Sequence, residues 1–175
     1  MDLVPNPPGE LHIKVLPQDE GGQGNVPDLA QKLVLLASFV KELQTQSHLI
    51  HFNYEEQNFL EVHAFLKDQY EAHLDQFDKL GELVRTLDYW MPMCSCGLKD
   101  ALGSCFKNVE SYEGVEQLNT YLQNLEAFSN MLKMVEPAAA KCQAYDVSNY
   151  IGELLGDVWK ACWMIKATIR SSSHS

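Results

Sequence analysis

Apolar residues recur every third or fourth position over one long stretch of the chain. This spacing is typical of an amphipathic α-helix, because 3.6 residues complete one turn and the apolar side chains then share one face. The apolar face consists of Phe59, Val62, Leu66, Tyr70, His73, Phe77, Leu80, Val84 and Leu87. Four polar residues fall on a separate arc beside it, namely His63, Lys67, Asp78 and Glu82. The sequence therefore predicts a long helix with one apolar face and one polar face.

The polar arc of this helix contains groups that can bind a metal but lie too far apart to share one ion. His63 and Asp78 are separated by about 22 Å at 1.5 Å per residue. A turn at residues 54–57 would bring His51, at the end of the preceding helix, level with His63. If a second copy packs antiparallel about a two-fold axis, its Asp78 and Glu82 meet these two histidines, and symmetry forms the site twice. We therefore expect the site at an interface between two copies.

The rest of the chain predicts an all-α fold with three further long helices. The first helix is expected to begin at Pro27, with Asp28 near the positive end of the helix dipole. The third helix follows Gly114 and is expected to end or bend at Pro137. The fourth helix has Asp146 as its expected N-cap.

A connection of more than two dozen residues, from 88 to 114, separates the second helix from the third. Neighbouring antiparallel helices need far fewer residues. The connection is therefore expected to cross over and let the two helices run parallel. Its apolar segment, residues 98–106, is predicted to form a short helix.

A di-iron centre inside a single bundle is not expected from this sequence. Such centres need Glu-x-x-His pairs on two helices. The nearest patterns, Glu61-Val62-His63 and Glu71-Ala72-His73, are one residue too short. His73 also falls on the apolar face, so we expect it to pack in the core.

The order of the candidate ligands, together with a second motif near the C-terminus, is similar to that of a known family. His51-Phe52-Asn53 is followed by His63 and then by Asp78 and Glu82, and Trp163-Met164-Ile165-Lys166-Ala167 lies near the C-terminus. Over residues 27–170 the chain resembles Dps, the DNA-binding proteins from starved cells within the ferritin-like superfamily. The resemblance implies a ferritin-like four-helix bundle with a short helix in the long crossover between helices 2 and 3. It also implies a homo-oligomeric shell of twelve subunits that oxidises Fe(II) at two-fold interfaces, stores the ferric mineral and protects against oxidative stress.

The resemblance also assigns the ligands of iron at the ferroxidase site: His51, His63, Asp78 and Glu82. The chain departs from the family at Lys67, where an aspartate is usual, and at Phe52, where an oxidisable tryptophan is usual. Lys67 could turn to solvent, leaving two histidines and two carboxylates to hold one Fe(II). Alternatively, its ammonium pairs with the partner's Asp78 or Glu82, and the shell has a storage or structural role without ferroxidase chemistry.

The charge of the chain argues against DNA as a partner. Its formal net charge is −11, whereas non-specific DNA binding requires cationic groups that neutralise phosphates. Residues 1–25 contain Lys14 as their only lysine or arginine, so the basic tail that DNA-binding Dps proteins share is missing. DNA binding is therefore not expected.

The length of 175 residues suits one domain. Proline and glycine are frequent in residues 1–26, which are predicted to form an extended arm. Residues 27–172 are predicted to form the ferritin-like domain, followed by a tail at 173–175. We expect a cytoplasmic protein without a membrane segment, because no apolar run reaches 18 residues and the N-terminus lacks the features of a signal peptide.

Five cysteines complete the set of reactive residues. An odd number without a secretion signal favours reduced thiols. Cys94, Cys96 and Cys105 lie close enough in sequence to bind zinc through three thiolates. Unliganded thiols are nevertheless the favoured interpretation, because Cys-x-Cys is a weak zinc motif.

Overall fold

The computed structural model describes residues 24–172, which form five helices and no strand. The helices are α1 (Val26–Asn53), α2 (Phe59–Thr86), α3 (Ser95–Leu102), α4 (Gly114–Lys141) and α5 (Tyr145–Ser172). The all-α prediction of four long helices and one short helix is confirmed. Most of the predicted arm and the whole predicted tail lie outside the described residues.

The first two helices form a long antiparallel hairpin. Asn25 caps α1, since its side-chain oxygen accepts a hydrogen bond from the Asp28 amide at 3.1 Å. Helix α1 therefore begins one residue before the predicted Pro27, which lies in the first turn. The expected turn follows Asn53: Tyr54 is buried there, and its hydroxyl donates to the Asn58 side chain at 2.8 Å.

The core lies between the four long helices and is centred on aromatic rings. Phe39 of α1 stacks on Phe128 of α4 with ring centroids 5.7 Å apart. Phe106 from the crossover meets the Phe39 ring edge-on, at 5.1 Å. Burying one phenylalanine side chain contributes about 2–3 kcal/mol. This cluster therefore fixes the crossover against α1 and α4 as well as joining the two helices.

The crossover contains the predicted short helix, but at an earlier position than expected. Helix α3 ends at Leu102 because Gly103 adopts a positive φ of 65°, a conformation that favours glycine and terminates helices. Phe106 was predicted to lie within this helix, and it instead contributes to the core. Beyond α3, the carbonyl of Lys107 accepts hydrogen bonds from the side chains of Gln46 and Asn124, both at 2.8 Å.

Two helix ends differ from those expected. The third helix was expected to end or bend at Pro137, and it does not end there, because α4 continues to Lys141. Both Pro137 and Lys133, the residue whose carbonyl loses its hydrogen bond, lie on an exposed face where water can replace that bond. Asp146 is not the N-cap of α5, since the helix already begins at Tyr145 and Asp146 lies in its first turn.

Within residues 24–172, no helix is both long and apolar enough to span a membrane.

Candidate functional site

His51 and His63 lie face to face at one end of the α1–α2 hairpin. Their ring centroids are 3.6 Å apart and their planes differ by 20°. His51 is in the last turn of α1, and His63 lies four residues after the start of α2, so the short connection between the helices places them at the same level. This pairing was predicted from the turn and is confirmed.

A reciprocal pair of hydrogen bonds fixes both imidazoles. The Nδ1 of His51 lies 2.8 Å from the carbonyl oxygen of His63, and the Nδ1 of His63 lies 3.0 Å from the carbonyl oxygen of His51. A carbonyl oxygen only accepts hydrogen bonds, so each Nδ1 must carry the proton and donate it. In the neutral rings, Nε2 then keeps its lone pair. Two Nε2 atoms are therefore available as metal ligands, held by the kind of backbone contact that usually orients a metal-binding histidine.

Aromatic rings surround the histidine pair. His48 stacks on Tyr70, with ring centroids 3.9 Å apart, and on Phe52, at 4.7 Å. The Tyr70 ring meets His51 edge-on at 5.4 Å. Sequence reasoning assigned Tyr70 only to the apolar face, although its position two helical turns after His63 places it on the same side of α2. Tyr70 is thus an oxidisable ring beside the histidines.

The two predicted carboxylate ligands lie at the other end of α2. Asp78 and Glu82 are exposed and line an open cleft of about 970 Å³, together with apolar side chains that include Trp90 and Met91. Lys79 pairs with Glu82 at 3.5 Å. Among residues 24–172, no three His, Cys, Asp or Glu side chains come close enough to hold a metal ion. A single chain thus places the histidines and the carboxylates in two separate groups.

Lys67 forms an ion pair within its own helix. Its ammonium lies 3.5 Å from the carboxylate of Glu71, and both side chains are 55% exposed. An exposed pair of this kind stabilises a protein by about 0–1 kcal/mol. Lys67 can therefore leave Glu71 at little cost when another group approaches His63.

His73 is a core residue, as predicted. It is buried, with Nδ1 2.8 Å from the Gln76 side-chain oxygen and Nε2 2.7 Å from the Tyr121 hydroxyl. Burial lowers the pKa of His73 to about 4, although the hydrogen bond to Gln76 acts in the opposite direction. The imidazole is therefore neutral at pH 7, and both of its nitrogens already have partners.

The prediction of reduced thiols is wrong for two of the five cysteines. Cys94 and Cys96 form a disulfide, while Cys105, Cys142 and Cys162 are free. Sulfur atoms bonded to each other are not the thiolates that zinc requires. The structure therefore does not support the zinc site considered for Cys94, Cys96 and Cys105.

Comparison with known proteins gives a consistent family and fold. Residues 38–172 match the family described as Ferritin-like domain. Dps from Staphylococcus aureus superimposes with a TM-score of 0.78 at 16% identity, over 83% of this chain and 97% of that chain. Dps from Vibrio cholerae O1 gives a TM-score of 0.76 at 18% identity, over 82% and 90%. Antigen TpF1 from Treponema pallidum gives 0.75 at 22%, over 82% and 92%. No curated protein matches the sequence significantly.

Proposed function

Because the chain belongs to the ferritin-like domain family and has the fold of the Dps proteins, we propose that it binds and oxidises Fe(II) between two copies of itself. The ferric product is then stored as mineral inside a hollow shell. This chemistry removes Fe(II) and its oxidant, hydrogen peroxide or oxygen, and so protects against oxidative stress. The reciprocally hydrogen-bonded pair of His51 and His63 is the observation that carries the proposal.

The second half of the proposed site comes from the partner copy. Packing two α2 helices antiparallel, with the two-fold axis between residues 72 and 73, makes His63 level with the partner's Glu82. Two histidine nitrogens and carboxylate oxygens form a ligand set that suits Fe(II). The exposed Asp78 and Glu82 leave the required oxygens accessible to the partner. Each pair of chains then forms two equivalent sites.

Exposed leucines support this interface. Leu60 and Leu74 are 75% and 50% exposed, and both fall within about 60° of His63 around the helix axis. Leu74 lies close to the proposed two-fold axis, where two copies of it would meet. Leu60 is level with residue 85 of the partner, which lines the cleft that also contains Trp90 and Met91. Packing would therefore cover Leu74 near the two-fold axis and Leu60 at the partner's cleft.

We expect Leu74→Glu to dissociate the dimer, weakening association at least about tenfold. The change removes an apolar contact and brings two new carboxylates together at the axis. Analytical ultracentrifugation measures the association, and circular dichroism checks that helix content is unchanged. Met134→Glu is the matched control, because Met134 is an exposed apolar residue on α4. Unchanged association of Leu74→Glu would exclude this packing of α2.

A storage or structural shell without ferroxidase activity is the second candidate function. It is favoured by Lys67, because the same two-fold packing makes Lys67 level with the partner's Asp78. The ammonium could leave Glu71 and pair with that carboxylate, replacing the charge of an iron ion.

For both candidate functions, the Dps resemblance leads us to propose twelve chains in the shell. The net charge of −11 argues against DNA as a partner of the shell.

Lys67→Asp is expected to raise the rate of Fe(II) oxidation by about tenfold, since it replaces a cation beside His63 with an additional oxygen ligand. The rate is followed by the absorbance of the ferric product, against a blank that contains iron alone. Lys160→Asp on α5 is the control for the change in net charge. Wild-type protein is expected to exceed the blank. If only Lys67→Asp exceeds it, the storage or structural function is correct, and if neither does, the ferroxidase proposal fails.

A further inference from the structure

The crossover contains a disulfide that does little to hold the fold together. Cys94 and Cys96 are separated only by Ser95, and their Cα atoms lie 5.3 Å apart, within the usual range for a disulfide. A bridge that closes so short a loop removes little entropy from the unfolded chain compared with one that closes a long loop. Both cysteines are exposed, so a dissolved thiol can reach either sulfur. The pair therefore has the accessibility of a reactive disulfide.

The start of α3 makes the two sulfur atoms unequal. Cys94 is the N-cap of the eight-residue helix, and its Sγ accepts a hydrogen bond from the Gly97 amide at 3.2 Å. Amide donors and the positive end of a helix stabilise a thiolate. When the disulfide opens, Cys94 is therefore the better leaving group, because its sulfur has this amide donor and lies at the helix N-terminus.

We propose that Cys94 and Cys96 are a reversible dithiol–disulfide couple that exchanges with low-molecular-weight thiols of the glutathione type. A substrate thiolate attacks Sγ of Cys96, and the sulfur–sulfur bond breaks. The electron pair goes to Sγ of Cys94, where the Gly97 amide donates to the new thiolate. A second substrate thiolate attacks the substrate sulfur of the mixed disulfide and releases Cys96. In total, two substrate thiols become one disulfide, and their two electrons and two protons pass to the cysteine pair.

Cys105 provides an internal comparison in the same crossover. It is exposed and free, like the cysteines of the reduced pair. Its Sγ–H instead donates to the carbonyl of Leu102 at 3.0 Å, at the opposite end of α3. The Leu102 carbonyl only accepts a hydrogen bond from the Cys105 thiol, whereas the Gly97 amide provides a hydrogen-bond donor to the sulfur of Cys94. We therefore expect Cys94 to react faster than Cys105.

The test uses the metal-free protein, so its result does not depend on the proposed iron chemistry. The protein is reduced, desalted, treated with oxidised and then with reduced glutathione, and trapped by alkylation at each step. Trypsin cleavage after Arg85, Lys99 and Lys107 places Cys94 and Cys96 on one peptide and Cys105 on the next. Mass spectrometry then reports the oxidation state of each peptide.

We expect oxidised glutathione to form the Cys94–Cys96 disulfide and millimolar reduced glutathione to reopen it. In the reduced protein at pH 7, iodoacetamide should alkylate Cys94 at least tenfold faster than Cys105. Cys94→Ser should trap on Cys96 the glutathione mixed disulfide that the proposed exchange passes through, and Cys105→Ser should leave the couple unchanged. A disulfide that never forms, one that reduced glutathione cannot open, or equal alkylation of Cys94 and Cys105 would overturn the proposal.

Discussion

Replacing His63 with alanine is expected to lower the protein-dependent rate of Fe(II) oxidation by about a hundredfold. The change removes one Nε2 ligand, and it also removes the Nδ1–H that donates to the His51 carbonyl and helps to orient the pair. Loss of a group that only orients a ligand already costs about 10- to 100-fold in affinity or activity. The rate is measured by ferric absorbance with peroxide as oxidant, and iron binding by calorimetry under anaerobic conditions with the same samples.

His48→Ala is the matched control for His63→Ala. His48 is a half-buried histidine in the same cluster, but its ring stacks on Tyr70 and Phe52. We expect this variant to keep the wild-type rate within about threefold, because the proposed site takes no iron ligand from His48. Its ring stacking contributes about 0.5–1.5 kcal/mol per pair to the packing of the cluster. If His63→Ala oxidises iron as fast as His48→Ala, the histidine pair does not bind the iron that reacts.

The free energy of unfolding is expected to fall by about 3 kcal/mol between pH 7 and pH 4 because of His73 alone. Burial lowers the pKa of His73 to about 4 in the folded chain, against 6.5 for the unperturbed group. Between these values the unfolded chain binds a proton that the folded chain does not, so stability rises with pH. Burial also raises the pKa of Tyr121, whose hydroxyl stays protonated throughout this range.

Urea denaturation at a series of pH values measures this effect. The variant His73→Gln keeps a polar side chain at the position but cannot titrate, so its stability should depend less on pH between 4 and 6.5. The difference between the two pH profiles isolates His73 from the carboxylates, which titrate in both proteins. Identical slopes for wild type and His73→Gln would show that the buried imidazole does not control acid stability.

The sequence was sufficient to predict the long helices and the histidine pair, because both follow from local geometry. Apolar residues at helical spacing must be buried, and this requirement predicted a second helix that ends at Leu87. The observed helix, α2, ends one residue earlier, at Thr86. The pairing of His51 with His63 needed only a short connection between two antiparallel helices. These features depend on residues near one another in sequence.

Features that depend on distant or individual contacts were not predicted. The position of α3 depends on Gly103, which terminates it, and on Phe106, which packs against Phe39 of α1. Helix α4 continues past Pro137 because the lost backbone bond lies on an exposed face. The reciprocal Nδ1 hydrogen bonds depend on side-chain rotamers, which spacing does not determine.

Mixing two inactive variants measures most directly whether two chains share one iron site. One variant carries His51→Ala and His63→Ala, and the other carries Asp78→Ala and Glu82→Ala. After unfolding and refolding together in equal amounts, half of the random dimers contain one chain of each kind, and each of these has one intact site. We expect the mixture to recover about a quarter of the wild-type rate. Activity no greater than that of either variant alone, when exchange of chains is verified by mass spectrometry, would contradict a site built from both copies.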